Sequence, residues 1–127
     1  MAQTLLVTID IPAGTEVLAA LDVAGLNPSI AVWVYLSDYE DWRLLLASPH
    51  WDGGPIQRSY GMVFRAFEDA GISRLRAPEI MICRMSDPFI KALQQRYAKL
   101  GDVRGMRVGG DRFGERYVED GYEYRIV

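Results

Sequence analysis

The sequence is poor in the side chains that usually carry metal ligation and nucleophilic catalysis. Its 127 residues include one cysteine, Cys83, and one histidine, His50. A single cysteine excludes an internal disulfide, and its apolar surroundings are typical of a small core residue in a reducing compartment. Metal sites need several ligands at fixed spacing, and His50 has only Asp52 close to it in the sequence. We therefore predict no metal site and no cofactor, and we interpret His50 as a loop residue.

Long apolar runs are also missing. No run is long enough to span a bilayer, and residues 1–4 lack the basic region of a secretory signal. Half of the residues are hydrophobic and about a quarter are charged, which is ordinary for a folded domain and argues against disorder. The sequence predicts a single cytoplasmic domain over residues 1–127 with no membrane association.

Basic residues are almost absent from the first part of the chain. Residues 1–57 contain one, Arg43, against seven acidic residues, whereas residues 58–107 carry a net charge of +5 and residues 108–127 a net charge of −2. Ordinary solvated helix faces are the leading explanation of this asymmetry. It also fits self-association between acidic and basic surfaces, or an anionic partner for the basic middle of the chain.

The clearest element in the sequence is a β-hairpin over residues 30–48. Two apolar segments flank the polar break at 37–41, which has the length of a hairpin loop. If Leu36 pairs with Trp42, one face of the hairpin is a conventional core and the other face is also apolar, because side chains alternate across a strand. That second face would carry Ala31, Trp33, Tyr35, Arg43, Leu45 and Ala47.

The aromatic second face needs a cover, because a solvated sheet face would alternate apolar with polar residues. Either another helix of the same chain or a second copy of the protein could cover it. A one-residue change in register would exchange the two faces. In the expected register Arg43 lies opposite Tyr35 as a cation–π pair. We predict a homodimer, since aromatic residues and arginine concentrate at interfaces. The predicted interface residues are Trp33, Tyr35, Arg43, Tyr122 and Tyr124.

The rest of the chain alternates helical and strand patterns. Residues 4–11 have strand periodicity, although a helix continuing into the next segment would also bury their apolar groups. The fold we predict is α+β, a mainly antiparallel sheet of five or six strands with three helices chiefly on one face. The expected helices are 14–24, capped by Thr15 and ended by Gly25, a second from Pro55 to Gly71, and a third from Ser86 to Gly101. The expected further strands are 79–85 and a hairpin from about 103 to the C-terminus, with a bulge at Gly121.

Two motifs resemble a set of short bacterial proteins without an established activity. One is W-V-Y at 33–35 followed by W-R-L-L-L-A-S-P at 42–49, and the other is V-E-D-G-Y-E-Y-R-I at 118–126. The set combines a W-R-L-x-x-A-S/T-P hairpin with a closing E-D-x-Y-x-Y-R tail. The turn at Gly114-Glu115 departs from the Asn-Gly of that set. The resemblance covers less than half of the chain, and it implies a bacterial cytoplasmic protein and no particular chemistry.

Three functions remain open at this stage. The leading hypothesis is a non-enzymatic protein-interaction module that self-associates. The second is nucleic-acid binding through the basic segment 84–107, with Arg96, Lys99 and Arg104 on phosphates, although the aromatic residues of this segment fit a core stripe better than a stacking platform. The third is a hydrolase built on Glu119, Asp120 and His50, which requires these side chains to converge.

Overall fold

The computed structural model describes residues 10–75 and 77–127, which form three helices and one five-stranded sheet. Strand order is β3-β2-β1-β5-β4, and every neighbouring pair is antiparallel except β2 and β3. This confirms the predicted α+β class with a mostly antiparallel sheet. The predicted strand over 4–11 falls almost wholly outside the described residues. The elements are α1 (Ile11–Val23), β1 (Ile30–Leu36), β2 (Asp41–Ala47), α2 (Ile56–Ala70), β3 (Ile80–Ile82), α3 (Pro88–Tyr97), β4 (Arg107–Phe113) and β5 (Arg116–Ile126).

Side-chain caps set the ends of the helices. Asp10 begins α1 by accepting a hydrogen bond from the backbone N–H of Ala13 at 2.9 Å, so this helix starts earlier than the predicted cap at Thr15. Asp87, one residue after the predicted cap, accepts from the N–H of Phe89 and begins α3. Gly25 ends α1 as predicted, because its φ of +80° allows the chain to turn away in the left-handed conformation.

The first hairpin forms as predicted, but its register differs by one residue. Leu36 pairs with Asp41 instead of Trp42, and the loop consists of the four residues 37–40. Glu40 closes this loop with a φ of 52°, and the N–H groups of Tyr39 and Glu40 both donate to the carbonyl of Leu36. The shift exchanges the two faces of β2 relative to β1.

The corrected register moves Arg43 away from Tyr35. Arg43 pairs with Val34, so the predicted cation–π pair with Tyr35 is wrong. Its guanidinium carbon instead lies 4.3 Å from the ring centroid of Tyr39 in the hairpin loop. Leu44 now shares a face with Trp33, and Leu45 shares a face with Val32.

Apolar side chains cover both faces of the sheet, and each face has its own core. The helix α3 packs on one face, which we call the α3 face, whereas α1 and α2 pack together on the other, which we call the aromatic face. Two of the three helices thus share a face. The α3-face core includes Val32, Val34, Leu45, Phe89, Ile90 and Leu93. The aromatic-face core includes Leu21, Trp33, Leu44, Val63, Phe67 and Tyr124.

The strand β5 contains two register irregularities against β1. They lie at Glu119 and Tyr124, which interrupt the one-to-one pairing with β1. The bulge predicted at Gly121 is wrong, because Gly121 pairs directly with Val34 and Val108. A Cβ atom at this position would lie 2.8 Å from the carbonyl oxygen of Trp33, so close approach of the strands explains the glycine.

Candidate functional site

Two of the five predicted interface residues are buried inside the molecule. Trp33 is 4% exposed and Tyr124 is 7% exposed, beneath α1 and α2. The indole N–H of Trp33 donates to the Tyr124 hydroxyl at 3.0 Å, and that hydroxyl donates to the carbonyl of Ile11 at 2.7 Å. A Cβ atom at Gly14 would lie 2.2 Å from the same hydroxyl. These contacts join β1, β5 and α1. Helices of the same chain therefore cover the aromatic face, which is one of the two alternatives expected from the sequence.

The other three predicted interface residues do not form a common surface. Tyr35 and Tyr122 are half-buried at the aromatic face, where Tyr35 packs edge-on against Trp42 and Tyr122 against Tyr124. Arg43 lies on the α3 face because of the shifted register. A partner was expected on the aromatic face because its rings would otherwise be uncovered. That reason no longer applies to these residues.

An apolar groove remains open on the outside of the two helices that cover the aromatic face. We call it the α1–α2 groove, and it has a volume of about 390 Å³. Alanine methyl groups form most of its wall, and the carboxylates of Glu16 and Asp69 also line it. Val23 at its end is 89% exposed. The apolar lining residues are Ala19, Ala20, Val23, Ala24, Ala66 and Ala70.

A basic concave surface lies between α3 and β4. Arg96, Lys99 and Arg112 line a depression of about 460 Å³ together with Gln95 and Phe113. The structure thus brings together two of the three residues predicted to bind phosphates, and it adds Arg112, which was not among the residues predicted from the sequence.

The positive charge of this basic surface is smaller than the sequence predicted, because one predicted arginine lies elsewhere and another is paired with a carboxylate. Arg104 does not line the depression, and its nearest carboxylate is Asp102 at 3.9 Å. Arg96 is paired with Asp111, and hydrogen bonding to this guanidinium lowers the pKa of the Asp111 carboxyl. The free positive charge of the depression therefore rests mainly on Lys99 and Arg112.

The most unusual buried group is the side chain of Glu123. It is 0% exposed, and neither carboxyl oxygen has a hydrogen-bond partner within the part of the chain that is described. Burial raises the pKa of this carboxyl to about 7. Glu123 pairs with Val32 and therefore lies on the α3 face near Tyr97, whose pKa is raised chiefly by burial and secondly by the Glu123 charge. This burial could not be predicted from the sequence, because Glu123 and Arg125 alternate with tyrosines and look like a solvated face.

The residues of the hydrolase hypothesis do not converge. His50 follows β2 at the end of the sheet where Ala47 pairs with Ile30, whereas Asp120 pairs with Tyr35 at the other end of β1. These ends are about 16 Å apart at 3.3 Å per residue. Glu119 accepts from the Ser37 hydroxyl at 2.6 Å. This arrangement offers no acid–base pair of the kind the hypothesis needs.

The side chain of Asp120 is engaged in the sheet and is not directed into a cleft. It forms an ion pair with Arg107 and accepts a hydrogen bond from the N–H of Gly121 at 2.8 Å. Over residues 10–75 and 77–127, no group of three or more His, Cys, Asp or Glu side chains is placed to hold a metal ion.

Comparison with known proteins gives no further constraint on the site. No family model, no curated protein and no solved structure matches this chain significantly. The resemblance of the hairpin and tail motifs to a set of bacterial proteins therefore stays a prediction. Among the helices of the described residues, none is long and apolar enough to cross a membrane.

Proposed function

We propose that the protein is a non-enzymatic interaction module that self-associates through the α1–α2 groove. The proposed function is the one expected from the sequence, but the proposed contact surface is different. It lies on the outside of α1 and α2, the helices that cover the aromatic face. The observation that supports the proposal is the apolar groove itself, along which Ala19, Val23, Ala24 and Ala70 are exposed in the described structure. Exposed apolar patches of this kind commonly mark contact surfaces.

Self-complementarity favours a second copy as the occupant. The wall of the groove is mainly apolar, and the exposed Val23 lies at its end. A two-fold arrangement places α1 of one copy over α2 of the other. It also allows Val23 of each copy to enter the alanine-lined wall of the other, as the self-complementarity of a two-fold interface requires.

A glycine in the middle of α2 has no packing role among the described residues. Gly61 is exposed, and no atom of the described chain lies within 4 Å of the position its Cβ would occupy. It does not line the α1–α2 groove, so it bears on the stability of the subunit and not on the interface. A glycine inside a helix costs about 1 kcal/mol relative to alanine.

Sedimentation velocity over a range of concentrations tests the proposal. We expect dimers to accumulate in the micromolar range, and we expect Ala19→Glu to raise the dimer dissociation constant at least tenfold, because it places a charge on the groove wall. Ala19 is exposed on a helix, so this change leaves the subunit core intact. The matched control is Leu75→Glu, an exposed apolar position outside the groove lining. Wild-type protein that stays monomeric at 200 µM, or equal weakening by both variants, would overturn the proposal.

The second candidate function is nucleic-acid binding at the basic surface between α3 and β4. The clustering of Lys99 and Arg112 beside Arg96 around one depression favours it. Phosphate binding predicts affinity that falls steeply with salt, and the double variant Lys99→Gln/Arg112→Gln should reduce the slope of log K against log salt by about 1.4 to 1.8, depending on whether the strand is single or double. Absence of retention on heparin at 50 mM salt would exclude this function.

The cellular location belongs to the same proposal. We place the protein in the bacterial cytoplasm, a placement supported by its single unpaired cysteine, Cys83, which is buried on the α3 face.

A further inference from the structure

Two arginines share one tyrosine ring at the end of the sheet where the first hairpin turns. The guanidinium carbon of Arg43, on β2, lies 4.3 Å from the ring centroid of Tyr39, and that of Arg116, on β5, lies 5.9 Å from the same centroid. The two guanidinium carbons are therefore no more than about 10 Å apart, a bound set by these two distances to the common ring. Arg116 also lies 5.8 Å from the ring of Phe89, at the start of α3.

Neither guanidinium forms an ion pair with a carboxylate of the described residues. The ion pairs of this structure involve other arginines, and the three acidic residues of the hairpin region form none with Arg43 or Arg116. The Nε atom of Arg43 is shielded from solvent and has no hydrogen-bond partner among the described residues. A partly desolvated cation without a counter-charge is costly, so an external anion would be favoured at this position. The three acidic residues are Asp38, Glu40 and Asp41.

The loop that carries Tyr39 is held in place before any ligand binds. The carbonyl of Leu36 accepts the N–H groups of Tyr39 at 3.1 Å and Glu40 at 2.9 Å. The hydroxyl of Ser37 ties the same loop to β5 through Glu119. Stacking on an aromatic ring orients a guanidinium while its N–H edge stays available for oxyanions. The loop that carries the Tyr39 ring is therefore ordered within the subunit, which reduces the entropic cost of binding.

We propose that Arg43 and Arg116 form a binding site for a phosphate group, with Tyr39 as the platform that orients both guanidiniums. Two positive charges match a phosphate dianion better than a singly charged carboxylate, and planar N–H forks suit phosphate oxygens. Tyr39 is 42% exposed, so an aryl phosphate ester could add ring contact to the same anion site. This site is separate from the α1–α2 groove, and neither proposal depends on the other.

The test is an NMR titration that follows the arginine Nε–H signals of the intact protein at constant ionic strength. The ligands are inorganic phosphate, phenyl phosphate and acetate. Because the Arg43 Nε–H is shielded from water, it should give an observable signal that shifts on binding. We expect saturable shifts at Arg43 and Arg116 with a millimolar dissociation constant for phosphate, and at least tenfold weaker binding of acetate.

Variants decide whether the shifts come from this pair of arginines. Arg43→Gln and Arg116→Gln should each weaken phosphate binding at least fivefold, whereas Lys91→Gln, at an exposed cation of α3, should leave it unchanged. If Arg43→Gln fails to fold, the test uses Arg116→Gln alone, after circular dichroism has shown that this variant is folded. Tighter binding of phenyl phosphate would identify an ester as the source of the phosphate, and equal binding would identify the free ion. Unsaturable shifts at 50 mM phosphate, equal affinity for acetate, or unaltered binding in the folded arginine variants would overturn the proposal.

Discussion

The buried carboxyl of Glu123 should make the stability of the protein depend on pH in an unusual direction. Its pKa is about 7 in the folded protein and 4.5 in the ordinary reference state taken for the unfolded chain. Below pH 4.5 both states carry the proton, so burial of the neutral acid has no ionisation cost. Between these two pKa values the unfolded chain has released the proton that the folded protein retains, and folding stability therefore falls as pH rises. Above pH 7 the loss levels off at up to about 3 kcal/mol, from 1.36 kcal/mol per pKa unit.

Urea unfolding, followed by tryptophan fluorescence at pH 5 and pH 8, measures this effect. The variant Glu123→Gln cannot ionise, so it should be more stable than the wild type at pH 8 by up to about 3 kcal/mol, and the difference should shrink to about a quarter of that value at pH 5. Comparing the two proteins at each pH cancels the titration of other groups. Glu115→Gln, at the exposed turn between β4 and β5, is the matched control and should give no pH-dependent difference. An equal difference at both pH values, or a wild type that gains stability relative to Glu123→Gln as pH rises, would refute the reasoning.

Three further predictions concern single positions. Gly121→Ala should destabilise the fold by about 1 to 3 kcal/mol in urea unfolding, because its Cβ would lie 2.8 Å from the Trp33 carbonyl oxygen, and a loss below 0.5 kcal/mol would contradict this close packing. Gly61→Ala should raise the stability of the monomer by about 1 kcal/mol at low protein concentration, and any loss of stability there would show that the glycine is needed within the subunit. Cys83 should not react with a thiol reagent at pH 8 until urea is added, because burial raises the pKa of its thiol to about 11, and rapid reaction of the folded protein would contradict that burial.

The segments of secondary structure were largely predictable because local chemistry determines them. The hairpin over 30–48, the end of α1 at Gly25 and the closing hairpin followed from apolar alternation, turn residues and glycine. The register of the first hairpin was not predictable, because a loop of four residues and one of five are both compatible with the polar break. In the structure, the left-handed conformation of Glu40 goes with the four-residue loop. A register shift of one residue is enough to exchange the two faces of a strand.

The placement of site residues was less predictable, because it depends on the path of the whole chain. The sequence showed that both sheet faces need a cover, but not that α1 and α2 would take the aromatic face and α3 the other. The irregular pairing at Tyr124 puts Ile126 on the opposite face from that tyrosine, which simple alternation could not indicate. The pair of Arg43 and Arg116 comes from strands that are distant in sequence, so only the folded sheet reveals it.

The most direct test of self-association through the α1–α2 groove is an isotope-filtered NOE experiment. A concentrated mixture of ¹³C-labelled and unlabelled protein reports only contacts between different copies. We expect intermolecular NOEs to the methyl groups of Ala19, Val23, Ala24 and Ala70. Absence of intermolecular NOEs at a concentration where sedimentation shows dimers, or NOEs confined to β4 or α3, would contradict this expectation.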